Sequence, residues 1–368
     1  MTNPLSALVT LCVFYLIIIL FATLYPLNFF SENGVHWIAE QTGLYFDEQG
    51  RAYTDSDFMA GASTAAEAVS VELWLKERND SKNWGPREIF SFYDGSASPS
   101  LLIGEWSWQI FIYSRFEDYD EQKWYLSFRP DKGFSRYKTH FVTVTFDERE
   151  KALYIDGELI EKRKTLPGAT SYDGFSGRLL LGNTPMGSRG WMGEIQGLAV
   201  YGRILSSQEV ARHYDISRQG GMRSLVGASG LRALYPFDEG SGNRAADIVN
   251  DPLFIDIPEK YAPFQETFFH YPGDNMRIRS GWIKDFILNI FFFVPLGSLI
   301  MLIVFLRGIR LPVTGSAVTI IMACGLLSLS IEITQLYMPD RFASIMDVIS
   351  NMLGAGFGIM IVLLAKKF

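Results

Sequence analysis

Apolar residues crowd the two ends of the chain, while its middle alternates apolar and polar positions. Leu5 to Leu27 carries no formal charge and is dominated by the run Leu11 to Ala22. A stretch of about 23 such residues is long enough for a helix to cross a hydrocarbon core of about 30 Å. No basic n-region precedes it and no A-x-A-like site follows, so it is expected to remain as a span rather than be cleaved as a signal peptide. Three further spans are predicted at 283–306, 312–338 and 345–365.

Between them the period changes to two. Val69–Leu75 and Phe141–Phe146 alternate apolar and polar residues as half-buried strands do. Ala152–Ile160 reads as two strands about an Asp156-Gly157 turn, a pair that tolerates positive φ in a tight hairpin. Arg178–Gly182 and Gly193–Tyr201 continue the series, and Asp147–Glu150 reads as a hairpin loop. Ser206 to Tyr214 predicts one short helix, with Ser206 and Glu209 at capping-box spacing. Many short strands with Gly-rich turns indicate an antiparallel sandwich or jelly roll.

Charge divides along the same line. The formal net charge is −7 over 368 residues, yet 31–282 holds 27 of the 33 basic and 36 of the 40 acidic side chains. The mean hydropathy of +0.11 therefore belongs to the ends and the acidity to the middle. An acidic chain lacks the basic face that nucleic-acid binding requires. Four histidines and two cysteines supply neither a His-rich metal site nor a disulfide framework, and Cys12 and Cys324 both fall inside spans. Arg307 and Arg310 lie between the second and third spans, and Lys366 and Lys367 follow the fourth. The positive-inside rule makes both clusters cytoplasmic. Both termini are then inside and the acidic middle is extracytoplasmic.

Val71-Glu-Leu-Trp-Leu75, the segment around Tyr154-Ile-Asp-Gly-Glu158, and Gly193 to Ser206 resemble the concanavalin A-like, laminin-G-type jelly roll over roughly 65–215. Leu234-Tyr-Pro-Phe-Asp-Glu-Gly-Ser-Gly242 resembles the strand that normally opens such domains but here follows the helix. A permuted sandwich is expected, with 34–54 and 253–257 completing its edges. The resemblance implies carbohydrate or protein recognition. Trp84, Trp124 and Trp191 are the candidate glycan-contacting aromatics, while Trp74, Trp106 and Trp108 are expected to pack inward or at an edge. No facing carboxylate pair of the glucanase kind is visible. Asp118-Tyr-Asp-Glu121 offers oxygen atoms for calcium without the required ligand spacing, so no cofactor or metal is assigned.

Polar residues inside the spans are costly and need a reason. Asp285 and Asn289 share a face of the second span. Ser328, Glu332 and Gln335 form one stripe of the third, and Asp347 and Asn351 open the fourth. Glu332 lies about six residues from the outer end, roughly 9 Å deep. Arg341, in the following loop, is its nearest formal partner. Ser344 and Asp347 have capping-box spacing, and Gly354 and Gly358 have that of a close helix contact.

Thr23-Leu24-x-Pro26, Asp285-x3-Asn289-x3-Phe293-x-Pro295-Leu296-Gly297, Ser328-x3-Glu332-x2-Gln335 and Arg341-x2-Ser344-x2-Asp347-Val348-x2-Asn351-x2-Gly354-x3-Gly358 resemble the VanZ-like membrane family over about 9–30 and 280–365. That family is named for a protein giving low-level resistance to teicoplanin, which implies a cell-envelope role without supplying a reaction.

The expected architecture is a multidomain membrane protein: a four-helix transmembrane bundle with an inserted all-β antiparallel jelly-roll sandwich. Its parts are a first span at 1–30, a sandwich at 31–258, a linker at 259–282 and three spans at 283–368. The expected function is non-enzymatic. The sandwich would recognise an extracytoplasmic polysaccharide or protein. Asp285, Asn289, Ser328, Glu332, Gln335, Arg341, Asp347 and Asn351 would form an outer-leaflet polar pocket for a lipid-linked glycan or glycopeptide. Two alternatives stay open: an enzyme acting on a lipid-linked glycan, with Glu332 or Asp347 as general base, and an adhesion domain merely anchored by the helices.

Overall fold

A computed structural model describes residues 3–56, 67–78, 85–95, 99–117, 128–130, 135, 137–165, 174–185, 187, 189–249, 253–261, 280–309, 312–338 and 343–366. The chain forms two compact units. One is Met1–Ser31 with Ala262–Phe368, and the other is Glu32–Tyr261.

The first unit contains α1 (Pro4–Leu24), and α3 (Ser280–Leu306), α4 (Val313–Gln335) and α5 (Ile345–Ala365) from the C-terminal part of the chain. All four are long and apolar enough to cross a membrane. Asn3 caps α1 through its side chain, and Pro4 takes the first turn, where its missing N–H costs nothing. The tightest packing is between α3 and α5, and small residues permit it. A Cβ on Gly358 would lie 2.1 Å from the Val294 carbonyl oxygen, and one on Gly354 would lie 2.3 Å from that of Ile290. Gly297 returns the arrangement from α3, where a Cβ would lie 2.3 Å from the Ala355 carbonyl oxygen. Ser298 Oγ donates to the Gly358 carbonyl at 3.0 Å, so close approach also satisfies a hydroxyl in an apolar setting.

The second unit is a two-sheet antiparallel sandwich. The first sheet runs β1 (Val35–Trp37), β2 (Leu44–Phe46), β12 (Gly193–Tyr201), β4 (Ala68–Glu77), β8 (Thr139–Asp147), β9 (Glu150–Ile155), β10 (Glu158–Lys164). The second runs β14 (Arg244–Ala246), β15 (Phe254–Asp256), β3 (Ala52–Thr54), β11 (Arg178–Leu181), β5 (Arg87–Tyr93), β6 (Leu101–Trp106), β7 (Gln109–Tyr113). One edge of β12 is shared: β2 pairs with Gly193–Ile195, and β13 (Leu231–Tyr235) pairs with Leu198–Tyr201. The strand after residue 230 thus enters the sheet, and 35–54 with 244–256 supplies edges of both sheets, as the permuted pattern predicts.

Alternation places Val69, Val71, Leu73 and Leu75 of β4 in the core between the sheets, with Phe90, Phe92, Leu179 and Leu181 opposite. Asp156 and Gly157 both adopt positive φ between β9 and β10, as the hairpin reading requires. Helix α2 (Ser207–Gly220) begins with the Ser206–Glu209 capping box and ends at Gly221, whose φ of +68° favours glycine. It runs six residues beyond the expected Tyr214 because Val210, His213 and Ser217 continue a buried stripe. That stripe covers the outer face of the first sheet and forms a second core with Phe141, Tyr154, Tyr201 and Leu234.

Candidate functional site

The polar residues of the helical unit form two rungs between α4 and α5. Ser328, Glu332 and Gln335 lie on one face of α4 and are all buried. Glu332, only 3% exposed, uses Oε2 to accept the backbone N–H of Ser344 at 2.8 Å. Ser344 is the N-cap of α5, and its own Oγ accepts from the N–H of Met346 at 3.2 Å. The carboxylate therefore meets the end of α5 that carries unsatisfied N–H groups and the positive pole of the helix dipole. Asp347, half-buried in the first turn of α5, is near enough to Glu332 for the two carboxyl groups to interact electrostatically.

The second rung is one helical turn further into the unit. Asn351 Nδ2 donates to Ser328 Oγ at 2.8 Å. Its other amide atom, Oδ1, is buried with no hydrogen-bond partner among the described residues. Such an acceptor in apolar surroundings costs about 1–3 kcal/mol unless something donates to it.

Gln335 serves a different contact, since its Nε2 donates to the Thr23 carbonyl at 2.9 Å and ties α4 to the last turn of α1. Asn289 is half-buried on α3, next to Ile290, whose carbonyl packs on Gly354. Ser328, Glu332 and Asn351 are thus brought together, with Ser344 as a partner. Arg341 and the Asp285 side chain lie outside the described residues.

In the sandwich, Trp84, Trp124 and the Asp118–Glu121 loop also lie outside the described residues. Trp191 corrects an expectation: it is wholly buried in the inter-sheet core, with Gly193 leaving room for its ring, so it offers no surface to a glycan. Trp74 points away from that core and packs under α2 against Phe141 and Tyr214, at ring-centroid distances of 5.0 and 5.9 Å. Trp106 is half-buried at the β6–β7 hairpin beneath the Arg129 guanidinium, 4.5 Å from the ring centroid. Trp108, expected to pack, is instead 43% exposed at the tip of that hairpin.

Two polar clusters escape a reading of the sequence. Glu72 and Tyr201 occupy outward positions of β4 and β12. Tyr201 donates to Glu72 Oε2 at 2.8 Å, and His213 Nδ1 lies 3.0 Å from Glu72 Oε1. Burial, with Glu72 beside it, pushes the Tyr201 phenol well above its ordinary pKa. Alternation alone marks Glu72 as solvent-facing, and only the docking of α2 buries it. Lys151 points between the sheets and donates to both oxygens of Glu117, at 2.8 and 2.6 Å. Among the described residues, no three His, Cys, Asp or Glu side chains converge as metal ligands would.

Two family models match the chain, one in each part. Residues 241–366 match VanZ/LLP1. Residues 50–211 match the concanavalin A-like lectin/glucanases superfamily. The C-terminal segment is VanZ/LLP1-like. Its match takes in α3, α4 and α5, and with them both rungs; α1 lies outside the matched stretch although it belongs to the same compact unit. The lectin/glucanase match runs from just before β3 to within α2. A Bacteroides ovatus protein described as carbohydrate binding is similar at 14% identity and TM-score 0.41, over 61% of this chain and 61% of its own. Trypanosoma rangeli sialidase is similar at 14% identity and TM-score 0.39, over 51% of this chain and 29% of its own. No curated protein matches the chain.

Proposed function

We propose that this is a non-enzymatic protein of the cell envelope. Its sandwich recognises an extracytoplasmic glycan, and its VanZ/LLP1-like helices hold the polar head of an amphipathic, lipid-linked or glycopeptide ligand between α4 and α5. The observation that carries this reading is the pair of buried rungs, Glu332–Ser344 and Ser328–Asn351, with an acceptor on Asn351 still unused. Polar groups that only glue helices together would satisfy one another; this set leaves capacity for a ligand. Arg307, Arg310, Lys366 and Lys367 favour a topology with both termini cytoplasmic and the sandwich outside. Arg341, Asp285 and Asn289 are further proposed contacts at the head group. On the sandwich, Trp84 and Trp124 are the proposed sugar contacts, joined by the exposed ring of Trp108.

The test is complementation of a deletion strain with Glu332→Ala and Asn351→Leu, scored for envelope integrity and glycopeptide sensitivity. Both variants should accumulate in the membrane at normal levels and fail to restore the phenotype. Full restoration by both would remove the site from the function.

A further inference from the structure

The two cysteines of the chain, Cys12 on α1 and Cys324 on α4, come together in the helical unit. Both thiols are free, buried and part of one apolar cluster, and they are near enough to interact electrostatically. The register of the two helices explains why. Gln335 Nε2 donates to the Thr23 carbonyl, an offset of 335 − 23 = 312. The buried residues Ile19 and Ile331 of the same cluster share that offset, 331 − 19 = 312, and so do the cysteines, 324 − 12 = 312. Along each helix these levels are seven and four residues apart. Two helices running side by side in one direction keep a single seam in contact at that spacing. Cys12 is therefore level with Cys324, on the faces that α1 and α4 turn to each other.

Each cysteine lies about 12–18 Å from either end of its helix at 1.5 Å per residue, midway along helices long enough to span a membrane. Helix α1 is the least embedded of the four, and Cys12 and Ile19 are its buried residues. We infer that Cys12 and Cys324 form a redox-modification site, where a lipid-soluble quinone oxidises the pair to a disulfide that latches α1 to α4. Two S–H bonds break and one S–S bond forms. Two electrons and two protons pass to the quinone, which leaves as hydroquinone. A disulfide needs Cβ atoms about 3.8 Å apart, and the sparsely buried α1 is the element able to close that distance. Glutathione disulfide is charged and has no path to this depth, so the oxidant must dissolve in hydrocarbon. The closed loop contains the whole sandwich, and closing it restricts the unfolded chain.

Full-length protein in phosphatidylcholine nanodiscs, reduced and then exposed to a short-tailed benzoquinone, tests the site. Every ring carbon of the quinone is substituted, so that it resists direct addition of a thiol. Free thiols are counted by maleimide labelling after denaturation, and peptide mapping identifies any linked pair. The quinone should remove both thiols together and yield the Cys12–Cys324 peptide, about tenfold or more faster than glutathione disulfide at equal concentration. Cys12→Ser and Cys324→Ser should each keep the remaining thiol. Only the oxidised parent should show a raised midpoint in a denaturing-detergent titration. The parent's thiol count and peptide map keep the test decisive if a serine variant folds poorly. Iodine, which enters lipid and oxidises neighbouring thiols, checks the juxtaposition, and its failure to link the two cysteines would overturn it. Linkage by iodine but not by the quinone would overturn the quinone latch. Disulfides formed between two chains, or equal rates with glutathione disulfide, would overturn it as well.

Discussion

The buried carboxylate of Glu105 accepts the backbone N–H of Trp108 at 2.6 Å, and so holds a turn that its own residues disfavour. Ser107 and Trp108 join β6 to β7 at φ +52° and +65°, positions suited to Asn and Gly. A bulky side chain in that region costs about 1 kcal/mol or more. Trp108→Gly is therefore expected to raise the thermal stability of the sandwich by about 1 kcal/mol while weakening binding to any glycan that stacks on the tip. Glu105→Ala should lower stability by about 2 kcal/mol. Thermal unfolding of the full chain checks both; a destabilised Trp108→Gly would mean that the ring's packing outweighs its backbone cost.

Glu88, on β5, is nearly wholly buried, and burial pushes its carboxyl up to about 7, with Arg189 at 3.9 Å only partly opposing the shift. The folded chain then holds a proton that the unfolded chain has lost above about pH 4.3. Stability should fall as pH rises from that value to about 7 and level off beyond, because the folded state binds more protons across the window. Glu88→Gln removes the dependence. It is expected to gain about 3–4 kcal/mol over the parent at pH 8 relative to pH 4, measured by denaturant unfolding at both. An unchanged pH dependence would show that Arg189 keeps the carboxylate charged.

Much of this was legible because period-two alternation and apolar runs report directly on one-sided and all-round burial. Val69–Leu75 forms the expected strand, and the run from Leu11 forms a helix long and apolar enough to cross a membrane. What stayed hidden depends on a second surface. The outward residue Glu72 is buried only because α2 folds back over it, and Trp191 is core only because Gly193 makes room. The rungs were half legible. Helical spacing put Ser328 and Glu332 on one face, but that Asn351 meets Ser328 while Glu332 meets Ser344 follows from how α4 and α5 pack.

That packing gives a sharp expectation for the helical unit. A Cβ at Gly358 would sit 2.1 Å from the Val294 carbonyl oxygen and 2.8 Å from the Ser298 nitrogen, both backbone atoms that cannot rotate away. Gly358→Val must part α3 from α5 and break the Ser298 hydroxyl bond to residue 358. A loss of several kcal/mol is expected, visible as a lower midpoint in denaturing-detergent titrations. Gly315, with only Pro312 nearby at 3.8 Å, is the matched control, and Gly315→Ala should be close to neutral.

Lys151 and Glu117 carry the last expectation. Their charges are buried together, with the ammonium 5.2 Å from the Phe128 ring centroid and 5.8 Å from that of Phe146. Burial lowers the Lys151 pKa, and the neighbouring carboxylate works against that shift. Removing one partner strands the other in a low-dielectric interior, so Lys151→Met or Glu117→Leu alone should cost about 3–5 kcal/mol. The double variant removes both desolvation penalties and should cost far less than the sum, recovering at least half of it. Strictly additive losses in a double-mutant cycle would show that each side chain is held by its other contacts and that the pair itself contributes little.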